Sequence, residues 1–172
     1  HPCLRVSSGH QCRAAPPSGR NPVKEVEAAE QIKSLGSWSH CPSGWSRYGS
    51  RCFAFFSSPK NWLQAEDYCL HFGANLASIH SSAEYHYIQE LVLSRTGELT
   101  PAWIGASDAV QENMWLWSDG SRFDFQHWAW GEPSNFEGGE ACIEMNYIVD
   151  KLWNDLTCGY QLPFICAKRL NC

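Results

Sequence analysis

The sequence predicts an α+β fold, in which two helices and a set of short strands are stapled by disulfides around one core. Three observations carry this. Nine cysteines occur in 172 residues, a density that belongs to oxidised, cross-linked chains. Two helix-periodic segments lie in the first half of the ordered region, and the second half breaks into short aromatic runs separated by turn residues. Nine Trp, eight Phe and six Tyr, within an apolar fraction of 44%, are enough to bury a sizeable interior.

Composition excludes several function classes. A formal charge of −5 without a Lys/Arg cluster gives no footprint for nucleic acid or an anionic membrane surface. No run approaches the roughly 20 apolar residues that cross a bilayer, so membrane insertion is not expected. No paired CxxC or HxxxH spacing suggests zinc, and no HExxH or GxSxG suggests an enzyme. No basic and apolar leader opens the chain at His1, which reads as a mature secreted protein whose signal peptide was removed or never included.

Residues 1–40 are rich in Pro, Ser, Gly and Arg without a period of two or of 3.6, and are expected to form an N-terminal extension. Within it VKEVEAAEQIKSL (residues 23–35) reads as a marginal helix or linker, with a short oligomerisation stalk as the alternative. The domain begins at Cys41 and runs over residues 41–168, leaving residues 169–172 as a tail.

CPSGWSRYGSRCFAFF (residues 41–56) predicts two short strands after a Pro-Ser-Gly turn. WLQAEDYCLHFG (62–73) predicts a first helix that carries Leu63, Tyr68, Cys69 and Phe72, starts near Ser57, Ser58 and Pro59, and stops at Gly73. NLASI (75–79) reads as a strand. SSAEYHYIQELVLSRTG (81–97) predicts a second helix with Ser81 or Ser82 as N-cap, an apolar stripe at Tyr85, Ile88 and Val92, and Gly97 as its stop. WIGAS, MWLWSDG, FDFQHW, ACIEMNYI, KLWNDL and PFICAK follow as strands, with a long loop before ACIEMNYI. Trp103, Trp115, Trp117 and Trp153 have the alternation of core residues. Asp119-Gly120 reads as a turn, and His71, His80 and His86 as surface or helix-end residues without metal-ligand spacing.

Between Gly131 and Asp155 the chain concentrates oxygen donors: Glu132, Ser134, Asn135, Glu137, Glu140, Glu144, Asn154 and Asp155. Calcium takes six to eight such oxygens. On composition alone the stretch is a solvated acidic loop.

The ordered set WLQAEDYC, NLASI, WIGA, WLWSDG, GEPSN, WND and PFICA closely resembles the C-type lectin-like domain family, and within it the soluble lectins of fishes, which also resemble type II antifreeze proteins. The resemblance implies the C-type lectin-like fold with a long calcium-binding loop. It implies the pairs Cys41–Cys52, Cys69–Cys166 and Cys142–Cys158, a connectivity that spacing cannot supply because six cysteines allow fifteen arrangements. Cys3, Cys12 and Cys172 remain. Cys3 with Cys12 would leave Cys172 for a homodimer, and a free or capped Cys172 is the alternative.

The resemblance also implies one Ca2+ held by Glu132, Ser134, Glu140, Asn154 and Asp155, with Pro133 in the cis position and Trp153 packed beneath Asn154. The same residues would bind the sugar: two neighbouring hydroxyls replace water on calcium, the glutamates accept from them and Asn154 donates. Glu132 in first position favours the mannose-type order over the galactose type. Ser134 departs from both patterns, which have Asn or Asp there, and leaves sugar choice open. Trp130 and Phe136 could stack on a sugar or pack inside. Asp108, Glu112, Asn135 and Glu140 fall at a second calcium site of some relatives, weakened here because Ala141 replaces a ligating Asp.

The function implied is calcium-dependent recognition of glycans on cell or microbial surfaces, in defence or agglutination. One alternative is ice binding, although a fifth bridge found in many antifreeze relatives is absent, since those places read Trp128-Ala129 and Ala141-Cys142. The other is a calcium-independent protein-binding domain, against which the retained acidic set argues.

Overall fold

The structure is a computed structural model that describes residues 40–170. The N-terminal helix or stalk and the fates of Cys3, Cys12 and Cys172 lie outside the described residues. Cys41–Arg169 forms one compact unit.

Two helices and eight strands make up this unit. In chain order they are β1 (Ser46–Tyr48), β2 (Arg51–Lys60), α1 (Trp62–Leu70), β3 (Asn75–Leu76), α2 (Ser82–Thr96), β4 (Ala102–Ser107), β5 (Leu116–Trp117), a single 3-10 turn (Phe136–Gly138), β6 (Cys142–Tyr147), β7 (Leu152–Leu156) and β8 (Leu162–Arg169). The sheet runs β1-β2-β8-β4-β6-β7, with β3 on β8 and β5 on β4. The sequence predicts short antiparallel sheets, whereas β4 and β8 pair in parallel through Trp103 and Phe164, so the sheet is mixed.

Helix α2 forms as its pattern predicts. Ser81 caps it by accepting from the Glu84 amide, Gly97 ends it at φ +80°, and Tyr85, Ile88, Leu91 and Val92 are buried. A left-handed C-cap suits glycine because it has no Cβ to clash. Helix α1 differs from expectation at its start and on its buried face. Strand β2 continues through Lys60, past Ser57, Ser58 and Pro59, and the cap is Asn61, in a reciprocal capping box with Gln64. The inward face is Ala65, Glu66 and Cys69, whereas Leu63 is 71% exposed and Tyr68 and Phe72 sit at the margin. Glu66 can be buried because Asn75 Nδ2, the Leu76 amide and the Ser118 hydroxyl all donate to its carboxylate.

Two other expectations change. Only Asn75–Leu76 of NLASI pairs as a strand. FDFQHW forms no ladder beyond a bridge between Trp128 and Trp153. Its rings, Phe123, Phe125 and Trp128, instead pack around Trp153 at centroid distances of 6.2, 5.8 and 6.0 Å. Trp103, Trp115, Trp117 and Trp153 are all buried, as expected.

Three disulfides pin the fold: Cys41–Cys52 across the first hairpin, Cys69–Cys166 between α1 and β8, and Cys142–Cys158 beside β6. These are the pairs the resemblance implied.

Candidate functional site

The loop between Trp128 and Cys142 is anchored to β7 by backbone. The Trp153 amide donates to the His127 carbonyl at 2.9 Å and the Ala129 amide to the Trp153 carbonyl at 2.8 Å. The loop then reverses through a cis Glu132-Pro133 bond and through positive φ at Gly131, Asn135, Glu137 and Gly138.

Asp155, on β7 and fully buried, receives the Ser134 amide on Oδ1 at 2.9 Å and the Asn135 amide on Oδ2 at 2.7 Å. Glu140 Oε2 receives the Ser134 hydroxyl at 3.2 Å and the Phe136 amide at 2.9 Å. Asn135 Oδ1 accepts from the Glu140 amide at 3.2 Å. The turn therefore folds around two carboxylates contributed by its far end and by β7. Backbone amides that would otherwise be orphaned are satisfied by charge-assisted bonds.

Glu132 stands against Asp155. Burial, and then the neighbouring Asp155 carboxyl, push the Glu132 pKa above the usual carboxylate range. Its Oε2 is buried without a hydrogen-bond partner. Asn154, buried on β7, donates to Glu144 Oε1 at 2.9 Å. Burial first, and Glu140 next, raise the Glu144 pKa. Carboxylates crowded this way favour protons or a cation over mutual ionisation.

The structure thus gathers Glu132, Ser134, Glu140, Asn154 and Asp155 at one end of β7. Among the described residues, no three Asp, Glu, His or Cys side chains stand in a geometry that could hold a metal ion. The donor set nonetheless suits calcium better than a soft metal: it is all oxygen, rich in carboxylate, and leaves the buried Glu132 Oε2 unsatisfied.

Residues proposed for the second calcium position are less well gathered. Asp108 is buried, with Oδ2 accepting from the Asn113 amide at 2.8 Å. Its Oδ1 has no partner among the described residues. Glu112 is exposed, and Asn135 is committed to Glu140. Trp130 and Phe136 are 94% and 68% exposed, so both rings face solvent beside the acidic group rather than packing inside.

Sequence reasoning passed over Glu144 as a neighbour of Asn154, although a lone acid inside the apolar run ACIEMNYI is a signal that could have found it. Tyr147 was missed as well. All four acidic residues, Glu132, Glu140, Glu144 and Asp155, act on its phenol, and together with burial, the largest cause, they raise its pKa.

Asp119 holds its turn by accepting the Ser121 amide at 2.8 Å. Its carboxyl also takes the Ser78 hydroxyl, and Ser78 in turn meets Arg51. His80 lies just before α2, with Nδ1 2.7 Å from Asp124 Oδ1.

Comparison with known proteins places residues 58–168 in the family described as the lectin C-type domain. Ladderlectin of Oncorhynchus mykiss is 48% identical over 134 residues, covering 78% of this chain and 70% of its own length. The galactose-specific lectin nattectin of Thalassophryne nattereri is 43% identical over 132 residues, covering 77% and 82%. The solved structure of the herring type II antifreeze protein superposes with a TM-score of 0.72 at 37% identity, covering 76% of this chain and all (100%) of that one. These relatives are lectins and an antifreeze protein rather than enzymes.

Proposed function

The chain belongs to the C-type lectin domain family, and from that premise we propose that it is a secreted, calcium-dependent lectin. In this reading Glu132, Ser134, Glu140, Asn154 and Asp155 hold one Ca2+, and the same residues bind two vicinal hydroxyls of a terminal sugar. The partners are glycans on cell or microbial surfaces.

The observation that supports the reading is that Asp155 and Glu140 both bind the turn that follows Glu132, with a buried carboxylate oxygen of Glu132 left without a partner. When bound, the ion would supply a Lewis acid for the sugar hydroxyls. The protein's own part is orientation: Glu132 and Glu140 accept hydroxyl protons, Asn154 donates, and the amide-bonded turn keeps these groups in register. Glu132 in the first position supports a mannose-type order of acceptors and donors. The exposed rings of Trp130 and Phe136, together with the galactose specificity of nattectin, make galactose the second class to test. Single open sites of this kind bind weakly, so function on a surface calls for several sites at once. Dimerisation through Cys172 or the N-terminal extension would supply them.

The test is retention on mannose and galactose resins in calcium and then in chelator, with wild type and Glu140→Ala in parallel. Wild type held only in calcium, with the variant in the flow-through, supports the reading. Absence of retention on either resin overturns it for these sugars. Thermal hysteresis then tests ice binding, the reading supported by the likeness to the herring antifreeze protein.

A further inference from the structure

We propose that the hydroxyl of Tyr147 donates a hydrogen bond to the bound sugar outside the calcium-bound diol, which makes Tyr147 a specificity-determining residue. This rests on the carbohydrate reading above and extends it to the hairpin between β6 and β7.

Strand register puts Tyr147 on the right face. Glu144 pairs with Asn154, and Tyr147 pairs with Leu152, so three steps along β6 correspond to two along β7. Residues three apart on a regular strand point to opposite faces, and one extra residue restores them to the same face. Cross-strand partners share a face. Leu152 and Asn154, two apart on β7, therefore carry Tyr147 to the side where Asn154 meets Glu144. The insertion is marked by Asn146 at φ +60°.

This bulge is held from outside the sheet. The Asn146 amide donates to the Tyr85 hydroxyl oxygen at 3.2 Å, and Asn146 Nδ2 to the Thr100 carbonyl at 3.0 Å. From α2, the Tyr85 hydroxyl and Gln89 Nε2 both donate to the Lys151 carbonyl, at 2.5 and 3.1 Å, and Gln89 also reaches Asn146 Oδ1 at 3.0 Å. Asn146, Ile148 and Lys151, none of them glycine, all have positive φ. Such conformations persist only where the surroundings over-determine them, and they cluster at ligand sites. Here the device puts one half-buried side chain, Tyr147, on the face of Asn154 and Glu144 and within electrostatic reach of Glu132, Glu140 and Asp155.

Hydrogen-bond supply says what that side chain does. Within the site, the amides of Ser134, Asn135 and Phe136 and the Ser134 hydroxyl are committed to carboxylates, and Asn154 Nδ2, with one hydrogen on Glu144, keeps a single one for the diol. The Tyr147 hydroxyl makes no hydrogen bond to another described residue. A sugar brings a ring oxygen and hydroxyl lone pairs that only donors can satisfy. A phenol is protonated across the neutral range, and burial and the surrounding carboxylates push its pKa only further up, so it remains a donor.

The test is calorimetric titration of the whole chain, in saturating calcium, with methyl α-mannoside and methyl β-galactoside. Calcium half-saturation is followed separately by tryptophan fluorescence without sugar. Tyr147→Phe keeps the ring and removes only the donor. It is expected to weaken the preferred glycoside by about tenfold, the loss of one useful hydrogen bond, to narrow the ratio between the two glycosides, and to leave calcium half-saturation unchanged. Wild-type sugar affinity in Tyr147→Phe overturns the proposal, as does a matching fall in calcium affinity, which would mean that the hydroxyl serves the ion. If wild type itself binds neither glycoside, the carbohydrate reading fails and this proposal with it, an outcome distinct from equal binding by wild type and variant.

Discussion

Ser134 and Asp155 meet across 21 residues of chain: the Ser134 amide donates to Asp155 Oδ1 at 2.9 Å, and the adjoining Asn135 amide takes the other oxygen at 2.7 Å. One buried carboxylate thus sets the shape of the turn that carries Glu132 and Glu140. Asp155→Asn exchanges an acceptor oxygen for an amide NH2, a donor that faces a backbone N–H. It is expected to destabilise the calcium-free fold by about 2 kcal/mol, in the range for hydrogen bonds to charged groups. Calcium should no longer raise the unfolding midpoint. Denaturation in calcium and in chelator measures both effects, and a variant that calcium still stabilises would remove Asp155 from the ligand set.

The raised pKa values of Glu132 and Glu144 predict opposite pH responses with and without calcium. Burial is the largest cause for both, reinforced by Asp155 for Glu132 and by Glu140 for Glu144. Between the ordinary carboxylate value and the raised one, the folded state binds more protons than the unfolded chain. The calcium-free protein therefore loses stability as pH rises through that window. Calcium needs the carboxylates ionised, so its affinity falls as pH drops through the same window. Melting curves across acidic pH in chelator, alongside calcium titrations, test the pair. A calcium affinity that stays flat through this window contradicts the assignment of Glu132 as a ligand.

Gly105 lies in β4 where a Cβ would come 2.4 Å from the Leu76 carbonyl oxygen. Backbone cannot yield there as a flexible side chain would, because the Gly105 amide also donates to Ala77 and its carbonyl accepts from Ser118. Gly105→Ala should cost at least about 1–3 kcal/mol, the usual range for overpacking. Chemical denaturation monitored by tryptophan fluorescence reads it. A cost within about 0.5 kcal/mol, typical of a neutral surface change, would show that β3 and β4 can separate.

Removing the two inner disulfides should cost unequal amounts. Cys69–Cys166 closes a separation of 97 residues and Cys142–Cys158 one of 16. Chain entropy assigns about 4.7 kcal/mol to a loop near 100 residues and about 3 kcal/mol to one near 15. Paired Cys→Ala variants compared by denaturation should keep this order. The Cys142–Cys158 variant should also lose calcium affinity, since Cys142 begins the strand whose Glu144 accepts from the proposed ligand Asn154.

Much of this protein was determined by local sequence. Helix α2 follows from its own periodicity and caps, because Tyr85, Ile88 and Val92 can share one buried stripe only as a helix. The alternating tryptophans mark the core, and the sequence from Glu132 to Asp155 contains every oxygen donor of the candidate site. Tertiary structure decided what depends on partners distant in the chain. Leu63 is left outside because the interior position of α1 goes to Glu66, which is acceptable only once Asn75, Leu76 and Ser118 donate to it. FDFQHW has the composition of a strand, yet its rings pack around Trp153 and its backbone makes no ladder. Glu144 reaches the site by pairing with Asn154, and Tyr147 reaches that face through a one-residue bulge fixed by Tyr85 and Gln89 on α2. A side chain's face on a strand depends on pairing register, and here that register is shifted by a bulge held from a distant helix, which spacing within β6 and β7 does not reveal.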